Sequence, residues 1–316
     1  MVTTCVPGII GDDVIDICHE MSEEYNITIL PIEVDGILNG AAAQAREIAL
    51  KSIFSVTEDE KAQKGVVNIV GYRDHIDPVM CMSEDIWDIL KDLGIEVNCE
   101  LFNHCEMEEI RHLRRATMNL IYDDTTVTRS ITQCLDKYLG IPTYPDPLPR
   151  GLGECNKWIS DIAKEMDLDK DKAEKVAKEL NASYEELSKP LKDKCKGIKA
   201  LLYVSINSRV DWVLELCDVL GIEVIGAMCP VVNRYQDDVT VRELRVPSSI
   251  PVTYNSNFDA LKRKISEVHP DIVLGDTGNL ADLKELHFLF EGAPPGIRGS
   301  IEIGKRIMRC IKVGRA

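Results

Sequence analysis

The apolar positions of this chain fall into two alternating patterns. Runs dominated by apolar residues occur at 66–70 (Val-Val-Asn-Ile-Val), 118–122 (Met-Asn-Leu-Ile-Tyr), 198–204, 222–229 and 271–274. Such runs suit strands buried on both faces of a sheet. Between them the spacing turns helical. Val14, Ile15, Cys18 and Met21 share one face, and Ile86, Leu90 and Leu93 share another. Helices are expected over 41–54, 83–93, 127–138, 210–220 and 258–268, with a last one reaching residue 311. Shorter extended segments are expected at 27–34 and 251–254. Leu-Gly-Ile recurs at 93–95, 139–141 and 220–222, each time closing a helical stretch. The glycine is placed to end the helix, and a strand starts behind it. Three such junctions argue for βα units. The expected fold class is therefore α/β, with repeated Rossmann-like, doubly wound parallel-sheet domains.

Polar stretches divide this pattern. Residues 57–64 are charged and read as a linker. Residues 141–153 read as a domain linker too, because Pro145, Pro147 and Pro149 are followed by Gly151 and Gly153. Residues 65–150 then form one small doubly wound domain, 151–197 a charged helical connector, and 198–316 a further Rossmann-like domain ending in a helix.

Composition narrows the function. The chain has 316 residues, enough for two or three domains with ample core. Its formal charge of −16 is spread along the sequence, which argues against binding a nucleic-acid backbone. No apolar run is long enough for a membrane span and no secretory leader is evident, so a cytoplasmic protein is expected. The 11 cysteines are odd in number and lack a compact framework spacing, so they read as reduced thiols. That many thiols also fits an iron–sulfur context.

Candidate chemistry concentrates in loops. At the start, Thr3-Thr4-Cys5-Val6-Pro7-Gly8-Ile9-Ile10-Gly11-Asp12-Asp13 sets a thiol in a tight Pro-Gly loop before a helix. A thiol near exposed N–H groups ionises more easily, and thiolate is the metal-binding form. Gly8 and Gly11 lack a Cβ and allow a bulky group close to the backbone. Cys5 also reads as a small buried hydrophobe. In parallel sheets ligands sit beyond the carboxyl ends of strands. That rule points to Tyr72, Arg73 and His75 after one strand, to Asp123 and Asp124 after another, and to Asp276 in the loop Gly275–Asn279. The last two loops have a plainer reading, as a helix cap and as a βα turn. Cys99 and Cys105 flank His104, either as a metal site or as ordinary thiols. No dinucleotide fingerprint, phosphate-binding P-loop, nucleophile elbow or H-E-x-x-H pattern is present.

The segment around Cys5 resembles the stretch holding a cluster-ligating cysteine in the nitrogenase component 1 family. That family includes cofactor-scaffold proteins and the dark-operative protochlorophyllide reductase. Leu30-Pro31-Ile32 with Asp35-Gly36 resembles the next strand and turn of the family, 198–229 the start of its last domain, and Pro270-Asp271-Ile272-Val273-Leu274-Gly275 its late strand. Residues 1–64 are then the remainder of a first Rossmann-like domain. The family places further cluster cysteines ahead of this point, so with Met1 only four residues before Cys5 the chain is expected to be a truncated or shortened relative.

The resemblance implies a nitrogenase-like oxidoreductase subunit. A separate ATP-dependent iron–sulfur reductase would supply electrons to a cluster near Cys5, of the 4Fe-4S type or larger and shared at a subunit interface in a homo- or hetero-oligomer. These would reach a substrate, metallocofactor or tetrapyrrole in an interdomain cavity. Gln44 and Arg46 would line that cavity, unless they lie on a solvated helix face. Two departures stand out. Where catalytic α subunits of the family carry a cysteine, after the 118–122 strand, this chain has Asp123-Asp124. Where they carry a histidine, in the segment resembling 290–299, Arg298 is the nearest basic group. Both departures point away from dinitrogen reduction. Two alternatives are a non-catalytic scaffold for a metallocofactor and a metal-chelate or solute-binding protein.

Overall fold

The computed structural model describes residues 2–3, 13–33, 42–71, 85–103, 105–205, 208–230, 244–276, 278–290 and 292–314. The chain forms two compact units. Unit 1 comprises Met1–Arg73 and Gly94–Leu148; unit 2 comprises Asp74–Leu93 and Pro149–Ala316. Among the described residues no helix is long and apolar enough to cross a membrane.

Unit 1 opens with β1 (Val2–Thr3), helix α1 (Val14–Tyr25) and β2 (Ile32–Glu33), β1 and β2 pairing in parallel. Asp13 caps α1 by accepting from Asp16 N at 3.1 Å. The extended segment expected at 27–34 is a strand only at Ile32–Glu33 among its described residues. Helix α2 (Ala42–Phe54) follows. The main sheet has four parallel strands, β3 (Val66–Val70), β4 (Glu96–Leu101), β5 (Met118–Ile121) and β6 (Thr143–Pro147), in the order β4-β3-β5-β6. All five residues of β3 are buried, as a central parallel strand requires.

The Pro-rich stretch read as a linker therefore contains a strand. It lies at the sheet edge, where a residue lacking an N–H is tolerated, and its register with β5 slips between Asn119 and Ile121. Helix α5 (Thr126–Leu139) ends at Gly140, which is left-handed as the Leu-Gly-Ile pattern predicts. Between β4 and β5 lies the short helix α4 (Met107–Arg111). Helix α3, the fold's third, spans Ile86–Leu93 and belongs to unit 2.

Three buried asparagines run across the unit 1 sheet. Asn98 Nδ2 donates to Asn68 Oδ1 at 2.9 Å, and Asn68 Nδ2 donates to Asn119 Oδ1 at 3.2 Å. The outer amides also donate to His112 O and Ile141 O. Each polar group is satisfied only in this register, so the ladder fixes strand alignment as well as adding stability.

Unit 2 adds helices α6 (Gly151–Glu165) and α7 (Lys170–Ser188). Its sheet holds β7 (Lys199–Tyr203), β8 (Glu223–Pro230), β9 (Val252–Ser256), β10 (Ile272–Gly275) and β11 (His287–Leu289). The order is β11-β10-β7-β8-β9, all parallel. Helices α8 (Asp211–Leu220) and α9 (Phe258–Val268) pack on it, and α10 (Ile297–Gly314) packs against α6, α7 and α8. Strand β11 has no counterpart in the sequence reading; its three residues are too few to show periodicity.

Candidate functional site

Each sheet has one point where the strand order reverses, between β3 and β5 in unit 1 and between β7 and β10 in unit 2. Loops leaving adjacent strands diverge there and leave a crevice for ligands.

In unit 1, β3 runs into Gly71, at φ +142°. A Cβ on Gly71 would lie 2.8 Å from Tyr122 Cβ and 3.3 Å from Asp123 Oδ1. Glycine is thus required for the two strand ends to approach so closely. Asp123 is half-buried, and its Oδ1 accepts from the hydroxyls of Thr128 and Thr125. Thr125 is the cap of α5, its Oγ1 accepting from Thr128 N at 3.2 Å. The exposed Asp124 pairs with Arg129 Nε and raises that guanidinium's pKa. Neither aspartate caps the helix itself. Both are instead committed to side chains of its first turns.

The candidate pair on α2 divides. Gln44 is exposed, while Arg46 is half-buried, near enough to the Cys134 thiol of α5 to influence it. Next to Arg46, Glu47 accepts from Lys137 Nζ and Tyr138 Oη, both at 2.6 Å, which joins α2 to α5. Cys5, Gly8, Gly11, Tyr72, Arg73 and His75 lie outside the described residues, as does His104.

In unit 2, Asp276 follows β10 and reaches the loop after β7. Its Oδ1 accepts from Ser205 N at 2.9 Å and its Oδ2 from Ser208 Oγ. The buried Cys229 thiol, at the end of β8, is pushed up to about 11 by burial and secondarily by Asp276. The next residues beyond Ser208 lead to a second carboxyl. Glu154, in the first turn of α6, accepts from Arg150 N at 2.9 Å and pairs with Arg209 through Oε2. Its Oε1 has no partner among the described residues, and burial raises its pKa against the pull of Arg209. Glu215 of α8 accepts from Leu152 N and Gly153 N, closing the same helix start.

Arg298, in the first turn of α10, is exposed. Its Nη1 lies 3.7 Å from Asp88 Oδ2, and its backbone N donates to Asp85 Oδ2 at 3.3 Å. Sequence reasoning missed Asp85, Glu154, Arg209, Ser205 and Ser208. An acidic residue at the start of the 83–93 helical pattern is a signal for Asp85, but only as a local cap.

Two other groups resemble metal sites. Glu58, Glu60 and His112 bring ligand atoms within 4.8 Å of one another. The His112 ring, however, is engaged on both nitrogens, with Glu60 at 3.0 Å and Glu108 at 3.2 Å. Glu60 foremost raises its pKa, so the group reads as an ion cluster around the ring. Cys99 is buried in the unit 1 core, against which Cys105 packs, and burial raises the Cys99 thiol well above its ordinary value.

Residues 1–300 match the family described as Nitrogenase component 1 type Oxidoreductase. The chain belongs to that family. It is 23% identical over 286 residues to the nitrogenase iron-molybdenum cofactor biosynthesis protein NifE of Rippkaea orientalis, covering 88% of this chain and 58% of that protein. It is 24% identical over 280 residues to the nitrogenase molybdenum-iron protein alpha chain of Methanothermobacter marburgensis, covering 86% and 57%. The chain thus spans less than two thirds of the length of these relatives. Among solved structures, Nitrogenase Cp1 at pH 5 aligns with a TM-score of 0.67 at 17% identity, covering 99% of this chain and 70% of that one. The last likeness is one of fold: Rossmann-like α/β domains of the component 1 type.

Proposed function

We propose that this chain is a component 1 subunit of a nitrogenase-like oxidoreductase. In this reading a separate ATP-dependent iron–sulfur reductase supplies electrons, and the subunit acts on a substrate or metallocofactor. The family match over residues 1–300 carries the proposal.

The donor chemistry bears on where a cluster would bind. Burial raises the thiols of Cys99, Cys134, Cys155, Cys217 and Cys229, so these stay protonated and are poor metal ligands. Cys5, in its Pro-Gly loop, is the thiol whose sequence setting suits the role. Clusters take several cysteine ligands, so other thiols would have to join Cys5. The proposal therefore includes an oligomer, with a second copy or a related subunit supplying the rest. A bound cluster would supply one-electron transfer. Gly8 and Gly11 would let it approach the backbone. Gln44, Arg46, Tyr72, Arg73 and His75 would offer polar contacts to a substrate or cofactor. Asp123, Asp124 and Asp276 would act mainly by holding their loops in shape, and Arg298 would offer an exposed cation.

Anaerobic purification of wild type and Cys5→Ala, with iron and acid-labile sulfide assayed, tests this. Stoichiometric iron and sulfide that disappear in the variant are the expected result. A folded wild-type protein that stays free of iron even when purified together with its partner subunit would refute it.

A second reading is a scaffold that holds a maturing metallocofactor without turning over substrate. Two observations favour it: the likeness to a cofactor biosynthesis protein, and Asp123-Asp124 standing where the resemblance places a cysteine in catalytic α subunits. A bound cofactor released to an acceptor protein, with no reductase-dependent turnover, would distinguish it from the first.

A further inference from the structure

Asp85 is an unusual acid. It is 4% exposed, yet it lies at the start of an 18-residue helix to which it does not belong. Its Oδ2 accepts from Ile297 N and Arg298 N, both at 3.3 Å, at the N-terminus of α10. Its Oδ1 has no hydrogen-bond partner among the described residues. That oxygen rests on Gly296 so closely that a Cβ there would lie 1.5 Å away. The turn is held on its other side as well. Gly296 N donates to Pro149 O at 2.7 Å, Gly151 N to Gly296 O at 3.1 Å, and Arg150 Nε to Ala293 O at 2.7 Å.

We propose that Asp85 is a buried proton-binding site that locks the 293–298 turn when neutral and loosens it when ionised. A buried carboxylate with one oxygen unpaired is costly, because hydration is lost and two long N–H bonds replace only part of it. Protonation removes that cost. Opening the turn to water removes it too. Ionisation therefore drives opening, and the turn carrying Arg298 becomes proton-controlled.

The nearest charge opposes this direction, and burial overrides it. Arg298 and the start of α10 favour the ionised form. On α3 itself, Asp88 is exposed and sits against Arg298. From α6, Glu154 and the Cys155 thiol share the same surroundings, with Arg209 beyond them. Burial outweighs the favourable groups, and the Asp85 pKa rises from 3.8 to about 6. A pKa higher in the closed state means closure is fully favoured below about 3.8. It weakens as pH rises and levels off above about 6.

Hydrogen exchange on peptides covering 293–300, corrected for intrinsic rates, is the test. In wild type, protection should fall about tenfold between pH 5 and pH 7. Asp85→Asn mimics the neutral acid and should show no such slope. A flat wild-type profile, or an equal slope in Asp85→Asn, would overturn the proposal. Carbon-13 NMR of wild-type aspartate carboxyls needs no variant. A buried carboxyl titrating near pH 6 is expected, and an ordinary midpoint near 3.8 for Asp85 would overturn it as well. The proposal does not depend on Cys5 or on any cluster, so its failure and that of the redox reading are separable.

Discussion

The two units build the same kind of crevice by different means. In unit 1 the aspartates beyond β5 turn back onto their own helix, through Thr125, Thr128 and Arg129. In unit 2 Asp276 crosses to the loop of the neighbouring strand, taking Ser205 N and Ser208 Oγ. The first arrangement shapes a single loop. The second ties two loops that are 68 to 71 positions apart in sequence. The sheets differ in parallel. Unit 1 aligns its strands with the buried ladder of Asn98, Asn68 and Asn119, whereas at the centre of unit 2 Leu201, Leu202, Val273 and Leu274 pack apolar surface alone. Polar pairing is directional and specifies register. Apolar packing is not, and tolerates more rearrangement.

The sharpest way to break this comparison is Asn68→Leu. It removes the centre of the ladder and leaves the Asn98 and Asn119 amides with buried unpaired atoms. A loss of roughly 2–4 kcal/mol is expected, read as a lower urea midpoint. The equivalent apolar change in unit 2, Leu202→Ile, should cost less than about 1.5 kcal/mol because volume is conserved. Next in size is Asp276→Ala against Asp123→Ala. The first frees a backbone N–H and a hydroxyl of another loop, and should cost about 2 kcal/mol. The second loses local hydroxyl contacts and should cost about 1 kcal/mol. Equal losses would mean that bridging two loops has no added energetic weight. The smallest effect is expected for Lys137→Met, whose partner Glu47 is solvent-screened. No resolvable shift in the urea midpoint should follow, and a large one would show that the α2–α5 contact depends on that ion pair.

The βα rhythm was legible because it is written locally. Gly140 and Gly221 end their helices in the left-handed conformation, as Leu-Gly-Ile predicts, and the fully buried run Val66–Val70 is a central strand. The strand-end rule also points to Asp123 and Asp276, which lie just beyond β5 and β10. It gave no indication of which partners they hold, since Ser205 and Ser208 are unremarkable in sequence. The stretch 141–153 read as a linker holds the boundary between the units, at Leu148 and Pro149, but also strand β6, because prolines signal edge strands and linkers alike and only pairing with β5 separates the two.

The amino-acid sequence by itself determined the α/β class, the parallel sheets and the membership in the component 1 family, because periodicity, helix-ending glycines and the Cys5 segment are all short-range patterns. Only the tertiary structure decided what the carboxyl groups do. Asp85 and Ile297 are 212 positions apart, yet they meet at a single helix start. Burial, the fit against Gly296 and the count of hydrogen-bond partners arise only when such distant segments pack together. Those three quantities set the charge state of a carboxyl, and none of them is a property of the residue alone.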